Sequence, residues 1–181
     1  MKLKDLKSES IVIFELSSWR LSALGRAKLS PKVAVFTNVY PDHLNYYKNM
    51  DTYLKDKKYI YTNQKPNDYC VINWDDKVLN TLESEIKSQL IKFSKQKISK
   101  GRSVFISEGA IYLNNGIDEK KVLDVSEVQI RGEHNLWNIL ASIGATYAMN
   151  VSLPDIRKAI LAFKGIPHRI ELVRELEEIK Y

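Results

Sequence analysis

Short apolar runs separated by polar stretches dominate the hydropathy pattern of the chain. Continuous runs of this kind are typical of strands buried on both faces, as in a parallel sheet. The pattern predicts strands at residues 11–14, 32–37, 69–73, 91–93, 104–106, 111–113 and 122–130. A turn at Asn114, Asn115 and Gly116 indicates that some of the later strands form an antiparallel hairpin.

Segments with helical spacing lie between and after these strands. A short helical stretch is predicted around Leu21 and Leu24, and helices are predicted at 50–63, 77–87, 133–149 and 153–163. In the last one, Ser152 is the predicted N-cap and Pro154 the first helical residue, with Ile156, Ile160 and Phe163 on one face. The alternation predicts an α/β fold, with a mainly parallel sheet flanked by helices and a small antiparallel portion.

The composition narrows the class of protein. The chain has 181 residues, enough for one domain. Its formal net charge of +6 could indicate binding to nucleic acid, an anionic surface or a phosphorylated substrate, but a solvated basic face is the preferred interpretation. The basic stretch 87–102 contains one aromatic residue, so it does not suggest stacking on nucleic-acid bases. The chain has a single cysteine, Cys70, so no disulfide can form within it. With no apolar run approaching ~20 residues and no signal peptide, we expect a cytoplasmic protein without a membrane anchor.

Polar residues follow two of the predicted strands. Glu15 follows the first, and Asp42 and His43 follow the second. The carboxyl ends of parallel strands share one edge of a sheet, where open α/β sheets bind their ligands. These side chains could bind a divalent cation or transfer protons. The alternative is that Glu15 caps a helix and His43 is an ordinary loop histidine.

Two further clusters lie late in the chain. Gly132 precedes a predicted helix whose Asn135 and Asn138, three residues apart, project from one face and could bind a nucleotide base or a phosphate. Plain helix capping explains this cluster equally well. After a glycine and a proline, His168 and Arg169 follow in a tight turn. Arginine suits phosphate or ribose contacts, although a surface arginine after a turn is common.

Taken in order, these clusters resemble the motifs of the Mur ligases. The resemblance covers residues 11–173, and its motifs are ELSSW at 15–19, TNVYPDHL at 37–44, YLKDKKYI at 53–60, GEHNLWN at 132–138 and FKGIPHR at 163–169. The ELSS motif followed by an aromatic residue most resembles the members that add D-glutamate. The resemblance implies a central ATP-binding domain at 1–173 and the start of a linker at 174–181.

This resemblance implies an ATP-dependent ligase of peptidoglycan synthesis. In that family a substrate carboxylate attacks ATP, and an amine then displaces phosphate from the acyl phosphate. The implied cofactors are ATP and Mg²⁺, the implied substrates are UDP-N-acetylmuramoyl-L-alanine and D-glutamate, and the expected state is a monomer. The family's phosphate loop, GxxxxGK[ST], does not occur in the 181 residues. We therefore expect that the isolated chain does not catalyse ligation.

The resemblance also implies roles for individual residues. Lys57 matches a lysine that carbon dioxide carbamylates, which requires a lowered pKa. The implied roles are metal binding for Glu15, His43 and Lys57, catalysis for Lys57 and His43, ATP binding for Asn135, Asn138, Arg169 and His134, and substrate binding for Ser17 and Asn38.

The chain departs from the usual motifs at a few positions. Arg20 stands where glutamine is usual, Asn45 and Tyr46 replace an aspartate–arginine pair, and Asp56 precedes Lys57 where a small residue is common. These departures bear on the identity of the acceptor substrate. Three alternative functions also stay open. One is another Mur-family enzyme, with a different amino acid or a folate acceptor. Another is a degenerate domain without catalysis, and a weaker one is nonspecific nucleic-acid binding.

Overall fold

A six-stranded sheet forms the centre of the protein in a computed structural model, which describes residues 5–42, 45–130 and 132–166 and the backbone of two short strands near the C-terminus. The strands lie in the order β1 to β6 across the sheet. Strands β1 to β4 pair in parallel, and β4, β5 and β6 pair antiparallel. Their bounds are β1 Val33–Phe36, β2 Tyr69–Asn73, β3 Gln89–Ser94, β4 Ser103–Ser107, β5 Ala110–Asn114 and β6 Glu119–Asp124.

Helical segments connect β1 to β2 and β2 to β3, and two α-helices follow β6. The α-helices are α1 Ser18–Arg26, α2 Met50–Lys58, α3 Glu133–Ala148 and α4 Leu153–Ala162; the 3₁₀ helices are Leu79–Glu85 and Val125–Glu127. Strands β7, Glu175–Leu176, and β8, Ile179–Lys180, form a separate antiparallel pair. The α/β class, the parallel sheet and its antiparallel portion are therefore confirmed. No helix among the described residues is long and apolar enough to cross a membrane.

Two hydrophobic cores cover the two faces of the sheet. Alternating residues of β2 point to opposite sides, so that Val71 belongs to one core and Cys70 and Ile72 to the other. The first core contains the apolar face of α3 and Ile156 of α4. The second contains Tyr53 of α2 and residues of the 3₁₀ helix Leu79–Glu85. The result is a three-layer arrangement with α3 and α2 on opposite faces.

Helix α3 approaches the sheet closely at Gly144. A Cβ atom at this position would lie 2.8 Å from Cγ1 of Val71 and 3.4 Å from Cγ2 of Ile91. Both neighbours are buried in the centre of the parallel strands. A residue without a side chain at position 144 therefore sets the distance between α3 and β2.

Three sequence expectations about the elements were wrong. Residues 11–14 do not form a strand, and their apolar side chains are exposed, with Ile13 91% exposed. An apolar run indicates that burial is favourable, but a strand also needs a neighbouring strand to pair with. Among the described residues β1 is the edge strand and pairs only with β2. Phe163, predicted within the last helix on the face of Ile156 and Ile160, lies just beyond the end of α4 and is 45% exposed.

The third error concerns residues 122–130, predicted as one strand. Strand β6 ends at Asp124, because Asp124 and Glu127 form a reciprocal capping box that starts a 3₁₀ turn. Other elements differ in length or type: α2 ends at Lys58 and residues 59–63 continue as turns, while the helix expected at 77–87 is a 3₁₀ helix.

Candidate functional site

The carboxyl ends of β1, β2 and β3 meet at one edge of the sheet, as the parallel pairing requires. The segment after β1 is held there by Asp76, whose Oδ2 accepts a hydrogen bond of 2.9 Å from the backbone N–H of Val39. The other oxygen of Asp76 accepts from the N–H groups of Val78 and Leu79 at 2.9 and 3.0 Å. One carboxylate thus joins the segment after β1 to the start of the next helical turn.

Lys57 lies on α2 near this edge. Its ammonium lies 5.2 Å from the ring centre of Tyr53 and 5.7 Å from that of Phe36, both of which are buried. Burial lowers the pKa of Lys57, although the carboxylates of Asp42 and Asp76 act in the opposite direction. A larger fraction of Lys57 is therefore in the neutral amine form at a given pH than for an ordinary surface lysine.

Asp56, the unusual neighbour of Lys57, is engaged elsewhere. Its Oδ2 accepts a hydrogen bond of 3.0 Å from the hydroxyl of buried Tyr47. Successive helical residues point about 100° apart, which separates the two side chains. The charges that act on the pKa of Lys57 are those of Asp42 and Asp76. The departure at Asp56 therefore does not cancel the lowering of the pKa of Lys57 by burial.

Residues of the ELSSW motif lie at the start of α1. Ser17 is the N-cap, and its hydroxyl accepts a hydrogen bond of 3.5 Å from the N–H of Arg20. Glu15 is exposed, and its carbonyl oxygen lies 3.4 Å from Nη1 of Arg20. Asn38 is exposed in the segment after β1. The residue that caps α1 is therefore Ser17 and not Glu15, which the alternative interpretation had named.

The first two turns of α3 carry the predicted nucleotide-binding amides. Asn138 is exposed, and its Nδ2 lies 3.3 Å from Oδ1 of Asn135, so the two amides share one face as the spacing predicted. His134 is exposed and its ring lies over Gly132, which has a φ of 96°. Gly132 provides no side-chain cap for the helix.

The structure describes only some residues of the predicted metal site. His43 and Arg169 lie outside the described residues. Within residues 5–42, 45–130 and 132–166, no group of three or more histidine, cysteine, aspartate or glutamate side chains could hold a metal ion. Glu15 offers carboxylate oxygens of the kind that Mg²⁺ prefers. The roles of Glu15, His43, Lys57, Asn135, Asn138, Arg169, His134, Ser17 and Asn38 thus stay predictions.

Sequence reasoning missed two residues at this edge, Asp75 and Asp76. They lie two and three residues after the end of β2, and the rule that singled out Asp42 after β1 applies to them equally. Residues 74–76 were interpreted only as a turn. Asp75 accepts hydrogen bonds from Ser94, the last residue of β3, and from Trp137 of α3.

Comparison with known proteins gives a consistent picture. Residues 1–146 match the family model "Mur ligase middle domain". The chain is 39% identical over 183 residues to the UDP-N-acetylmuramoylalanine–D-glutamate ligase of Clostridium tetani, covering 99% of this chain and 37% of that protein. It is 36% identical over 181 residues to the enzyme of the same name from Clostridium acetobutylicum, covering 99% of this chain and 37% of that protein.

Among solved structures, MurF from Acinetobacter baumannii is similar in fold, with a TM-score of 0.64 at 21% identity over 88% of this chain and 34% of that one. MurF ligase from Thermotoga maritima in complex with ADP has a TM-score of 0.54 at 19% identity over 88% of this chain and 36% of that one. The chain thus spans little more than a third of the length of the curated relatives named above.

Proposed function

The chain belongs to the Mur ligase family, and we propose that it supplies the nucleotide-handling middle domain of a ligase that joins D-glutamate to UDP-N-acetylmuramoyl-L-alanine with hydrolysis of ATP. The relatives that share a third or more of its residues carry the name of that enzyme. The observation in the structure that carries the proposal is Lys57, an amine with a pKa lowered by burial at the ligand-binding edge of the sheet.

The proposed reaction has two steps. A carboxylate oxygen of the muramoyl-alanine attacks the γ-phosphorus of ATP, the bond from that phosphorus to the β,γ-bridging oxygen breaks, and ADP leaves. The amine of D-glutamate then attacks the acyl carbon, phosphate leaves with the bonding electrons, and the nitrogen loses a proton. Magnesium ions, when bound, neutralise the crowded phosphates. The protein's task is to hold and align these anions.

Lys57 takes part, in this proposal, as its carbamate. The ammonium first loses a proton, and the neutral amine then adds to carbon dioxide, forming a C–N bond and releasing a second proton, so that a cation becomes an anion. A lowered pKa raises the neutral fraction of the amine at any given pH below the ordinary value. The resulting anion, with the carboxylate of Glu15 and with His43, would provide ligands for magnesium.

Helix α3 holds the adenine nucleotide in this proposal. Asn135 and Asn138 present amide donors and acceptors on one exposed face of its first two turns, and such groups pair with the edge of a base. Arg169 and His134 complete the contacts to ATP, and Ser17 and Asn38 lie on the side of the muramoyl substrate.

A titration of the ¹⁵N-labelled chain with Mg·ADP tests the nucleotide assignment. We expect shifts of the amide resonances of the first turn of α3, and we expect Asn138→Ala to weaken the binding by about threefold to tenfold, the range for one lost hydrogen bond. Ser142→Ala, one turn further along the exposed face of the same helix, is the matched control and should bind like the wild type. Shifts confined to other parts of the chain would refute the assignment.

A further inference from the structure

The first turn of α3 is held differently from that of the other α-helices. Helices α1, α2 and α4 begin with side-chain caps from Ser17, Asn49 and Ser152. Helix α3 begins at Gly132, which offers no side chain. The proposed nucleotide contacts are Asn135 in this uncapped turn and Asn138 at the start of the next turn, so something other than a local cap must fix their position.

Asp75 provides that connection from the end of β2. Its Oδ1 accepts a hydrogen bond of 2.5 Å from the hydroxyl of Ser94, and its Oδ2 accepts from the N–H of Lys95 at 2.8 Å. The same Oδ2 accepts from Nε1 of Trp137 at 3.0 Å. One carboxylate therefore ties the end of β3 to the first turns of α3.

Lys95 reinforces the connection with its side chain. Its ammonium lies 3.9 Å from the ring centre of Trp137 and forms an ion pair with Glu133, the first residue of α3. The ion pair lowers the pKa of Glu133, first through the hydrogen bond from Lys95 and then through its charge. Asp75, Lys95, Glu133 and Trp137 together form what we call the Asp75 bridge.

We infer that Asp75 is a positioning residue for nucleotide binding, acting through Trp137 on the amides of Asn135 and Asn138. Trp137 immediately precedes Asn138, so the hydrogen bond to Asp75 fixes the rotation of the turns that carry both amides. The buried face of α3, with Leu140 and Ile143, anchors the body of the helix independently. Asp75 itself is exposed, which places the bridge at the accessible end of the helix.

This inference rests on the proposed nucleotide function and predicts a specific pattern of binding. Asp75→Asn keeps the shape of the side chain but removes its charge and replaces one of its two acceptor oxygens by an NH₂ donor, and Trp137→Phe removes the indole donor. We expect each variant to weaken the binding of Mg·ADP by roughly fivefold to tenfold, because a turn that is no longer fixed presents the amides correctly only part of the time. The double variant should bind no more weakly than either single variant.

The experiment is a calorimetric and NMR titration of the whole chain and its variants with Mg·ADP. The indole N–H resonance of Trp137, identified by its loss in Trp137→Phe, should move in Asp75→Asn. The effects of Asp75→Asn and Asn138→Ala should be less than additive, which a purely structural role would not produce. Asp118→Asn, an exposed carboxylate in the β5–β6 turn, is the matched control and should bind like the wild type with an unchanged melting temperature.

The outcomes separate the two proposals. If the wild-type chain gives no shifts with Mg·ADP in the first turn of α3, the proposed function is overturned and this inference with it. If the wild type binds there and Asp75→Asn and Trp137→Phe bind equally well, only the inference is overturned. Independent, additive effects of Asp75→Asn and Asn138→Ala also overturn it. If Asp75→Asn does not fold, the affinity of Trp137→Phe decides.

Discussion

Replacing Gly144 by alanine tests how closely α3 packs on the sheet. The new methyl group would lie 2.8 Å from Cγ1 of Val71, 3.4 Å from Cγ2 of Ile91 and 3.8 Å from Cγ2 of Val104. Val71 cannot move aside easily, because it is fully buried between β1 and β3 and a β-branched side chain has little rotamer freedom.

Two opposing contributions determine the magnitude. Overpacking a well-filled core costs about 1–3 kcal/mol, whereas alanine is favoured over glycine in a helix by about 1 kcal/mol. The difference is a net destabilisation of roughly 0–2 kcal/mol, or a melting temperature lower by up to about 8 °C for a chain of this size.

Urea unfolding of the chain, followed by circular dichroism, measures the difference. Val71→Ala provides the matched background, since it removes the methyl group that the new side chain would meet. In that background Gly144→Ala should be neutral or stabilising by up to about 1 kcal/mol. If Gly144→Ala stabilises the protein with Val71 in place, α3 does not approach β2 as closely as the structure shows.

Four further predictions concern the core and the site. Leu140→Ala, in the fully buried face of α3, should cost about 2–5 kcal/mol in urea unfolding, and a smaller loss would show that the cavity closes. Asp76→Ala leaves the N–H of Val39 without its acceptor, so its hydrogen exchange should accelerate while that of β5 stays unchanged. Because burial lowers the pKa of Lys57, the stability of the wild type relative to Lys57→Met should rise with pH between that lowered pKa and the ordinary value near 10.4; relative to the exposed control Lys55→Met it should show no such rise. Burial raises the pKa of Cys70 to about 12, so the folded thiol stays protonated, and the stability of the wild type relative to Cys70→Ala should fall as the pH rises above the unfolded value of about 8.5.

The sequence predicted the sheet well where the local pattern decides the structure. The run at 69–73 became β2 with the same bounds, and Asn114 and Gly116 make the turn between β5 and β6, with Oδ1 of Asn114 accepting from the N–H of Gly116 at 2.7 Å. The run at 11–14 is also apolar but has no pairing partner among the described residues. Hydropathy reports the preference for burial, and it cannot report which strand is available beside a segment.

For a related reason, some residues of the candidate site could be proposed from the sequence and others could not. Lys57, Asn135 and Asn138 could be proposed from the sequence because their motifs are local. Asp75 acts through residues 19 and 62 positions away in the chain, and no local pattern reveals such contacts. The lowered pKa of Lys57 likewise depends on its burial against Phe36 and Tyr53, a property of the fold.

The most direct test of the central claim places this chain in a complete ligase. The segment of the Clostridium tetani enzyme that matches it, 37% of that protein, can be exchanged for this chain, with the unmodified enzyme as the positive control. We predict that the chimera releases phosphate from ATP only when UDP-N-acetylmuramoyl-L-alanine and D-glutamate are both present, and that Lys57→Met abolishes this release. A folded chimera that binds Mg·ADP but releases phosphate with a different amino acid, or equally well with Lys57→Met, would contradict the account.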